Sequence, residues 1–286
     1  MRPAAATCEV RYALGIPTRG EQRIRPLLQT LHAIVRHSSM PPTAVVVVDN
    51  NDEFGVVEDQ IKRVFPAESN ISIVRCCYPS KANPVPGIAH GDQTALEMFA
   101  ESQYDIAVRW DDDLVPEMRC LERLVGLVSK GFPAAGGMYP GPGGRNPAFG
   151  HGLSGLDDKD QPTSGNGDPK YLQFFRWNGP QMFIPRHHLY SSFAYNVEDA
   201  QLVGGFCTDY SAHSHRADTD FTLRLNTLYQ DRGKDNLIVD TAAIATHLFA
   251  GGGCRGIDQA ERQSQLQHDL RLFEQRMGRF GIDPNY

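Results

Sequence analysis

Length, composition and charge restrict what this chain of 286 residues can be. Hydrophobic residues make up 41% and charged residues 22%, which is typical of a soluble protein with a substantial core. The formal net charge of −6 argues against a general nucleic-acid coat, because binding to phosphates depends on lysine and arginine. The apolar run over residues 45–48 is too short to span a bilayer, and the first residues lack the apolar segment of a secretory signal. We therefore expect a cytoplasmic protein.

The six cysteines contain no C-x-x-C pair and no spacing typical of zinc ligands. Cys76 and Cys77 are neighbours in a strand-like run, so their side chains are expected on opposite faces. We expect reduced, mostly buried thiols and no disulfide scaffold.

Short apolar runs alternate with amphipathic segments of helical length in the first half of the chain. The pattern predicts strands over residues 10–18, 43–52, 71–78 and 104–110, and helices over 23–38, 56–65, 88–102 and 116–130. Alternation at this spacing indicates right-handed βαβ units and therefore an α/β fold with a largely parallel sheet.

The character of the chain changes after residue 131. Residues 136–170 are rich in Gly, Pro, Asp and Asn and poor in aliphatic residues, which predicts a long loop: a lid, a binding loop or a disordered insert. Order is expected to return with strand-like runs over 171–189, a helix over 215–233, a strand over 236–248 and a C-terminal helix over 257–280.

Three consecutive carboxylates, Asp111, Asp112 and Asp113, follow the predicted strand over 104–110. Adjacent like charges are unfavourable unless a cation or water takes up their field. The carboxyl ends of parallel strands are where open α/β sheets bind ligands, and oxygen-rich clusters suit Mg²⁺ or Mn²⁺. A solvated acidic turn is the alternative explanation.

Four motifs in order resemble a known family. They are a strand ending in GIPTRG, a strand ending in VVVVDNND, the DDD triplet, and the later VGGF and HRADTDFTLRL segments. Together they look like a GT-A-fold glycosyltransferase, most similar to glycosyltransferase family 2, over about residues 9–250. The resemblance implies one catalytic domain with a Rossmann-like, mixed but mainly parallel sheet flanked by helices, and an acceptor-side subregion.

The resemblance divides that domain into four parts. It implies a nucleotide-binding half over residues 9–130, a flexible loop over 131–170, an acceptor and catalytic half over 171–250, and a C-terminal loop and helix over 251–286.

The resemblance also implies a donor site. The positions that match the base-binding and ribose-binding residues are Pro17, Thr18 and Asp49, although a polar residue at a strand end is often only a turn former. Arg19 is a candidate for a phosphate contact or a merely solvated side chain. The Gly204–Gly205 pair matches the family's Gly-Gly segment and permits close backbone approach to a ligand, although turns use Gly-Gly for conformational reasons alone. Arg255, in the loop after residue 247, could close over the diphosphate, and Lys81 is another candidate for the donor's negative charge.

The D-x-D pattern of the family implies that a divalent cation, Mn²⁺ or Mg²⁺, bridges the donor phosphates. Asp113 would be the direct ligand, and Asp111 would meet the ribose or a metal-bound water. Asp112 is the intervening position, although the triplet allows a shift by one residue. His247 at a later strand end matches a further metal ligand, and a structural histidine is the alternative.

The segment HRADTDFTLRL resembles the family's acceptor-side helix. Asp218 matches the acid that deprotonates the acceptor hydroxyl, and a simple first-turn Asp is the alternative. Asp220 is the second choice for the base. Ala217 replaces an acid that the family usually has, and an i,i+4 ion pair with Asp220 is an adequate explanation of Arg224.

The resemblance therefore implies transfer of a sugar from a nucleotide-diphosphate sugar, with UDP favoured, to a hydroxyl acceptor. Inversion with an Asp base is expected, and retention stays open because of Ala217. A nucleotidyltransferase or a non-catalytic nucleotide- or carbohydrate-binding module are the competing classes.

The acceptor and the oligomeric state are not specified by the sequence. A soluble glycan, a small molecule, a protein side chain or a modified nucleic-acid base are all possible acceptors. Trp177 and Asn178 are candidates for the acceptor pocket. A basic groove is not established by Arg145, Lys159 and Lys170 in the long loop.

Overall fold

The computed structural model describes most of the chain. The described residues are 11–51, 55–65, 70–76, 87–141, 155–156, 162–163, 173, 179–212, 214–233, 236–248 and 259–284. Of the residues proposed from sequence, Lys81, Arg255, Trp177 and Asn178 lie outside the described residues.

Strands and helices alternate through the first half, as the apolar pattern predicts. The strands are β1 (Tyr12–Thr18), β2 (Ala44–Asp49), β3 (Ile71–Arg75), β4 (Ile106–Arg109), β5 (Leu114–Pro116), β6 (Ala134–Met138), β7 (Gly155–Leu156), β8 (Pro162–Thr163), β9 (Phe183–Arg186), β10 (Phe193–Asn196) and β11 (Leu237–His247). The helices are α1 (Ile24–His37), α2 (Val56–Val64), α3 (Ile88–Glu101), α4 (Cys120–Val128), α5 (Val197–Leu202), α6 (Ala217–Asp231) and α7 (Gln259–Arg279), and a 3₁₀ turn (Glu21–Arg23) precedes α1.

A nine-stranded sheet is the centre of the fold, in the order β3-β2-β1-β4-β10-β6-β11-β5, with β9 added against β11. Strands β3, β2, β1 and β4 pair in parallel, and β11 pairs in parallel with β6. Strand β10 lies antiparallel between β4 and β6, and β5 and β9 are antiparallel to β11. The predicted α/β class with a mainly parallel sheet is therefore confirmed. Strands β7 and β8 form a separate pair.

Both faces of the sheet are buried, which explains why its central strands read as continuous apolar runs. Leu14 and Ile16 of β1 point into a core layer with α1, α2 and α4, whereas Ala13 points into the layer with α3, α5 and α6. A third, smaller cluster joins α6 to α7 through Leu223, Phe273 and other side chains. The three clusters fix the helices around the sheet edge where the motifs lie.

The structure differs from the sequence expectation at two places around residues 114–138. Strand β5 occupies the start of the segment predicted as one helix, so α4 begins only at Cys120. Strand β6 overlaps the start of the predicted loop. Its sequence AAGGM lacks bulky aliphatics because β11 passes very close to it, and a Cβ on Gly137 would overlap the Ala243 carbonyl. Strand β6 therefore has small residues, which allow close contact with β11, in place of the bulky aliphatic residues by which a strand is usually recognised.

None of the described helices combines the length and apolarity that a bilayer crossing requires.

Gly15 tests the packing of α3 on β1. A Cβ at Gly15 would lie 2.8 Å from Ala95 Cβ, inside normal contact distance, so Gly15→Ala is expected to destabilise the fold by about 1–3 kcal/mol. Gly126→Ala in α4 is the matched control, because its Cβ meets nothing within 4 Å and helical Ala is favoured by up to ~1 kcal/mol. Urea unfolding of both variants checks this, and equal stability of the two would contradict the packing.

Candidate functional site

The sheet topology brings the sequence motifs to one edge. Thr18 pairs with Asp49 at the carboxyl ends of β1 and β2, and β4 ends beside them just before the Asp triplet. Strand β11 runs in the same direction and ends at His247. Antiparallel β10 starts where these strands finish, so the residues before it reach the same edge. Polar groups from distant parts of the chain therefore meet there.

Asp111 is the most exposed carboxylate of the triplet, with 18% of its side chain accessible. Its Oδ1 accepts from Arg109 Nη1 at 2.6 Å, its Oδ2 accepts from the Ser191 hydroxyl, and its backbone N–H donates to Ser192 Oγ at 2.9 Å. Burial alone raises the pKa of Asp111, but the charges of Arg109, His247 and Arg23 and the Ser191 hydrogen bond lower it below its ordinary value. The carboxylate is held ionised in a fixed orientation.

Arg109 is buried inside β4 and joins two acids. Its Nε donates to Asp92 Oδ2 of α3 at 3.1 Å, while its Nη1 contacts Asp111 and also the Ser191 carbonyl. Asp92 Oδ1 has no hydrogen-bond partner within the described residues. Burial raises the pKa of Asp92 to about 6, and the charge of Arg109 offsets this only in part.

Asp112 and Asp113 are tied to Arg23, from the turn before α1. Arg23 Nε donates to Asp112 Oδ2 at 3.1 Å, its Nη2 contacts Asp112 Oδ1, and its Nη1 donates to Asp113 Oδ2 at 3.1 Å. The Thr18 hydroxyl donates to Asp112 Oδ2 at 2.7 Å, and Thr30 Oγ1 donates to the Asp112 carbonyl at 3.1 Å. Thr18 therefore contacts the acidic triplet.

Asp113 and His247 lie side by side, with His247 Nδ1 3.8 Å from Asp113 Oδ2. Antiparallel pairing explains this proximity, because His247 is in register with Leu114 of β5 and the Leu248 N–H donates to the Asp113 carbonyl at 2.8 Å. Carboxylate oxygens and an imidazole nitrogen are ligand types that suit a divalent cation such as Mn²⁺. Across the described residues, however, no group of three or more His, Cys, Asp or Glu side chains is arranged to hold a metal ion.

Asp218 lies in the first turn of α6, facing the acidic edge from the other side. Its Oδ2 accepts from the Ser191 N–H at 3.0 Å, and its Oδ1 accepts from the Thr219 N–H at 2.7 Å. The same serine thus contacts Asp218 through its backbone and Asp111 through its hydroxyl. The N-terminus of a helix favours an ionised carboxylate.

Part of this set lines one cleft of about 370 Å³, whereas Arg23, Asp112 and Asp113 are not among its described lining residues. Its described lining includes the charged or titratable side chains Asp92, Arg109, Asp111, His215, Arg216, Asp218 and His247. A larger groove of about 840 Å³ lies along α1 and α2, but it contains none of the residues proposed from sequence. Of these two cavities, only the smaller cleft is lined by residues proposed from sequence.

Asp220 is placed differently from Asp218. Its fully buried carboxylate accepts from Arg224 Nε at 2.5 Å, from the Tyr210 hydroxyl at 2.9 Å and from Arg276 Nε of α7. The i,i+4 pair expected for Arg224 is present. Asp220 is not among the residues that line the cleft. Its carboxylate instead joins α6 to α7.

The remaining sequence candidates lie around this edge. Asp49 is fully buried, with Oδ1 accepting from the N–H and the side-chain amide of Asn51 and with Oδ2 lacking a hydrogen-bond partner among the described residues. Arg19 is partly exposed after β1. Gly204 and Gly205 have φ of +83° and +66°, left-handed conformations that favour glycine, and the Gly205 carbonyl accepts from Arg224 Nη2 at 2.8 Å.

Pro17, near the end of β1, packs against α3. A Cβ at Gly91 would lie 2.7 Å from Pro17 Cβ, so helix and strand touch closely here.

Sequence reasoning missed Arg23, Arg109, Asp92, Ser191 and Ser192. An arginine in the buried strand IAVR is a signal that could have revealed Arg109, because an isolated charge in such a strand needs a partner. The other residues carry no local signal, since their contacts span many residues of sequence.

No protein-family model and no curated protein sequence matches the chain. Solved structures do match its fold. The mannosyltransferase PcManGT from Pyrobaculum calidifontis, in complex with GDP-Man and Mn²⁺, aligns with a TM-score of 0.59 and 17% identity over 95% of this chain and 65% of that chain. S. aureus TarS 1–349 in complex with UDP-GlcNAc aligns with a TM-score of 0.61 and 12% identity over 93% of this chain and 66% of that chain.

The chain has a GT-A-like fold. A second structure of S. aureus TarS 1–349 aligns with a TM-score of 0.55 and 12% identity, covering 94% of this chain and 72% of that chain. The predicted resemblance to GT-A glycosyltransferases is thus confirmed at the level of the fold. The chain spans just under two thirds of the length of the first two solved structures.

The pKa of Asp92 predicts a pH effect on stability. Between about pH 4 and pH 6 Asp92 keeps its proton when folded and loses it when unfolded, so its contribution to the free energy of unfolding falls as pH rises through this range. The stability of the wild type relative to Asp92→Asn is therefore expected to decline from pH 4 to pH 7 in urea unfolding. Exposed Asp231→Asn is the control. A pH-independent difference for Asp92→Asn would contradict the raised pKa.

Proposed function

We propose that this protein is a glycosyltransferase that moves a sugar from a nucleotide-diphosphate sugar to a hydroxyl acceptor. The observation that carries the proposal is the single cleft in which Asp218 of α6 faces Asp111 and His247 at the sheet edge. Such an arrangement can place an acceptor hydroxyl beside a base and a diphosphate beside a cation site. The GT-A-like fold supports the same reaction class.

The donor nucleotide is assigned to the ends of β1 and β2. Thr18 and Asp49 pair there, and Asp49 Oδ2, which has no hydrogen-bond partner among the described residues, is the acceptor proposed for a base or ribose group. Pro17, Arg19, Gly204 and Gly205 complete this proposed set, together with Lys81 and Arg255 from outside the described residues. UDP is the proposed nucleotide.

Mn²⁺ or Mg²⁺ is the proposed cofactor, with Asp113, His247 and Asp111 as its proposed ligands and Asp112 beside them. Because the described side chains are not arranged around a metal position as they stand, these ligands would have to reorient to hold the ion. The support is the chemistry of this donor set and the 3.8 Å approach of His247 to Asp113. When bound, such a cation offsets the negative charge that develops on the departing diphosphate.

Asp218 is the proposed general base. Its carboxylate borders the cleft, is oriented by two backbone N–H groups, and lies in the first turn of α6. It would accept the proton of the acceptor hydroxyl as the oxygen attacks the anomeric carbon, which predicts inversion in a single displacement. Asp220, the second choice, would need to leave three hydrogen-bond donors to do so.

A donor screen tests the reaction class. Purified protein with Mn²⁺ is expected to gain thermal stability from a nucleotide-diphosphate sugar, because a ligand that binds only the folded state stabilises it by mass action. Hydrolysis of that donor is then expected to release a nucleoside diphosphate and the free sugar. Formation of a nucleotide-diphosphate sugar and pyrophosphate from a nucleoside triphosphate and a sugar phosphate would instead identify a nucleotidyltransferase. Stabilisation without turnover in the presence of acceptors would indicate a binding module.

The two aspartates in the first turn of α6 are expected to respond differently to the same substitution. Asp218→Asn should lower turnover by about 10²–10⁴-fold with donor binding retained, since it removes only the proton acceptor. Asp220→Asn should lower the free energy of unfolding by about 3–5 kcal/mol, because it leaves buried Arg224 and partly buried Arg276 without their carboxylate.

Turnover assays and urea unfolding on both variants check this pair, with exposed Asp231→Asn at the other end of α6 as the control. A fully active Asp218→Asn protein would contradict its role as the base.

A further inference from the structure

Arg23 is a buried cation that the proposed function does not use. It ends the 3₁₀ turn before α1, and its side chain is only 12% exposed. Its guanidinium bridges two neighbouring carboxylates: Nη2 contacts Asp112 Oδ1 and lies 3.0 Å from Asp113 Oδ1, and Nη1 donates to Asp113 Oδ2 at 3.1 Å. Because Nε also donates to Asp112 Oδ2, the guanidinium of one arginine contacts all four oxygens of the two carboxylates.

These oxygens are among those that a divalent cation at this edge would use. Asp113, which lies beside His247, is held by the same guanidinium that neutralises Asp112. Burial lowers the pKa of Arg23, but its hydrogen bonds and charge interactions with the two aspartates raise that pKa above its usual value. The guanidinium is thus a permanent positive charge in the acidic cluster, which explains how Asp112 and Asp113 coexist there, while Arg109 pairs with Asp111.

We propose that Arg23 is an internal counter-cation that competes with a divalent metal ion for Asp112 and Asp113. The inference rests on the proposed function for the presence of a metal site. A metal ion that binds Asp113 must either share the carboxylate oxygens of Asp113 with Arg23 or displace Arg23 from them. The two positive charges also repel each other across a partly buried site. The nucleotide-free protein therefore binds metal weakly. The diphosphate of the donor supplies further oxygen ligands and raises the affinity.

Mn²⁺ binding to the nucleotide-free full chain tests this directly, with electron paramagnetic resonance of unbound Mn²⁺ as the readout. Arg23→Gln removes the competing charge and is expected to bind Mn²⁺ at least tenfold more tightly than the wild type. Arg25→Gln is the matched control, because Arg25 is an exposed arginine two positions along the same segment. Its Mn²⁺ affinity is expected to equal that of the wild type.

Thermal unfolding gives an independent readout. Arg23→Gln leaves two buried acids without their partner, so its melting temperature is expected to fall in the absence of metal. Mn²⁺ should then raise the melting temperature of Arg23→Gln more than that of the wild type. Adding Asp113→Asn to Arg23→Gln should abolish the gain in Mn²⁺ affinity, which assigns the gain to this site.

Equal Mn²⁺ affinity of the wild type and Arg23→Gln overturns the proposal, as does a gain that survives Asp113→Asn. If Arg23→Gln does not fold, Arg23→Lys decides, because lysine keeps the charge but cannot bridge both carboxylates as a fork. An affinity at least threefold above that of the wild type supports competition, and an unchanged affinity overturns it. Failure of every nucleotide sugar to stabilise the wild type would refute the proposed function separately.

Discussion

Pairing of buried carboxylates with two arginines is the interaction on which the acidic edge of this sheet depends. Asp111, Asp112 and Asp113 are adjacent in sequence, and their mutual repulsion would be severe in a partly desolvated site. Arg23 neutralises the last two, while Arg109 joins Asp111 to Asp92 of α3. Neither arginine forms its ion pairs at the exposed surface. These ion pairs therefore determine the geometry of the acidic edge as well as its charge.

The opposite wall of the cleft depends on the packing of α7 against α6 and the segment before it. Asp269 is fully buried and accepts from the Ser211 N–H at 2.7 Å, from its hydroxyl at 2.8 Å and from the His215 N–H at 2.8 Å. Arg276 reaches Asp220 in α6. The C-terminal helix thus orients both the cleft-lining segment and the helix that carries Asp218.

Much of the fold could be predicted from the sequence because its signals are local. The apolar runs of β1, β2 and β4 and the amphipathic period of α1 and α3 depend only on neighbouring residues, and the structure reproduces these elements within a few positions. Strand β6 could not be recognised in this way. Its small residues are explained only by the close passage of β11, which is a tertiary contact.

The candidate site was predictable to the extent that it follows strand ends. Thr18, Asp49, Asp111 and His247 were chosen from strand ends together with the family resemblance, and the sheet topology brings these strand ends to one edge. The partners Arg23 and Ser191 were not, since each meets the triplet across roughly 80–90 residues of chain. Helical spacing already places Asp218 and Asp220 on different sides. Which of them faces the cleft required coordinates, because it depends on tertiary contacts with Ser191 and Arg276.

The double pairing of Arg109 limits how this protein can change over evolutionary time. Loss of the guanidinium alone would leave Asp92 and Asp111 facing each other without a positive charge, and lysine cannot reach both with the same geometry. Replacement of Asp92 alone would remove one of the two acids that balance the arginine. Descendants that lose one member of this trio therefore need a compensating replacement at another, so the positions are expected to covary as a unit.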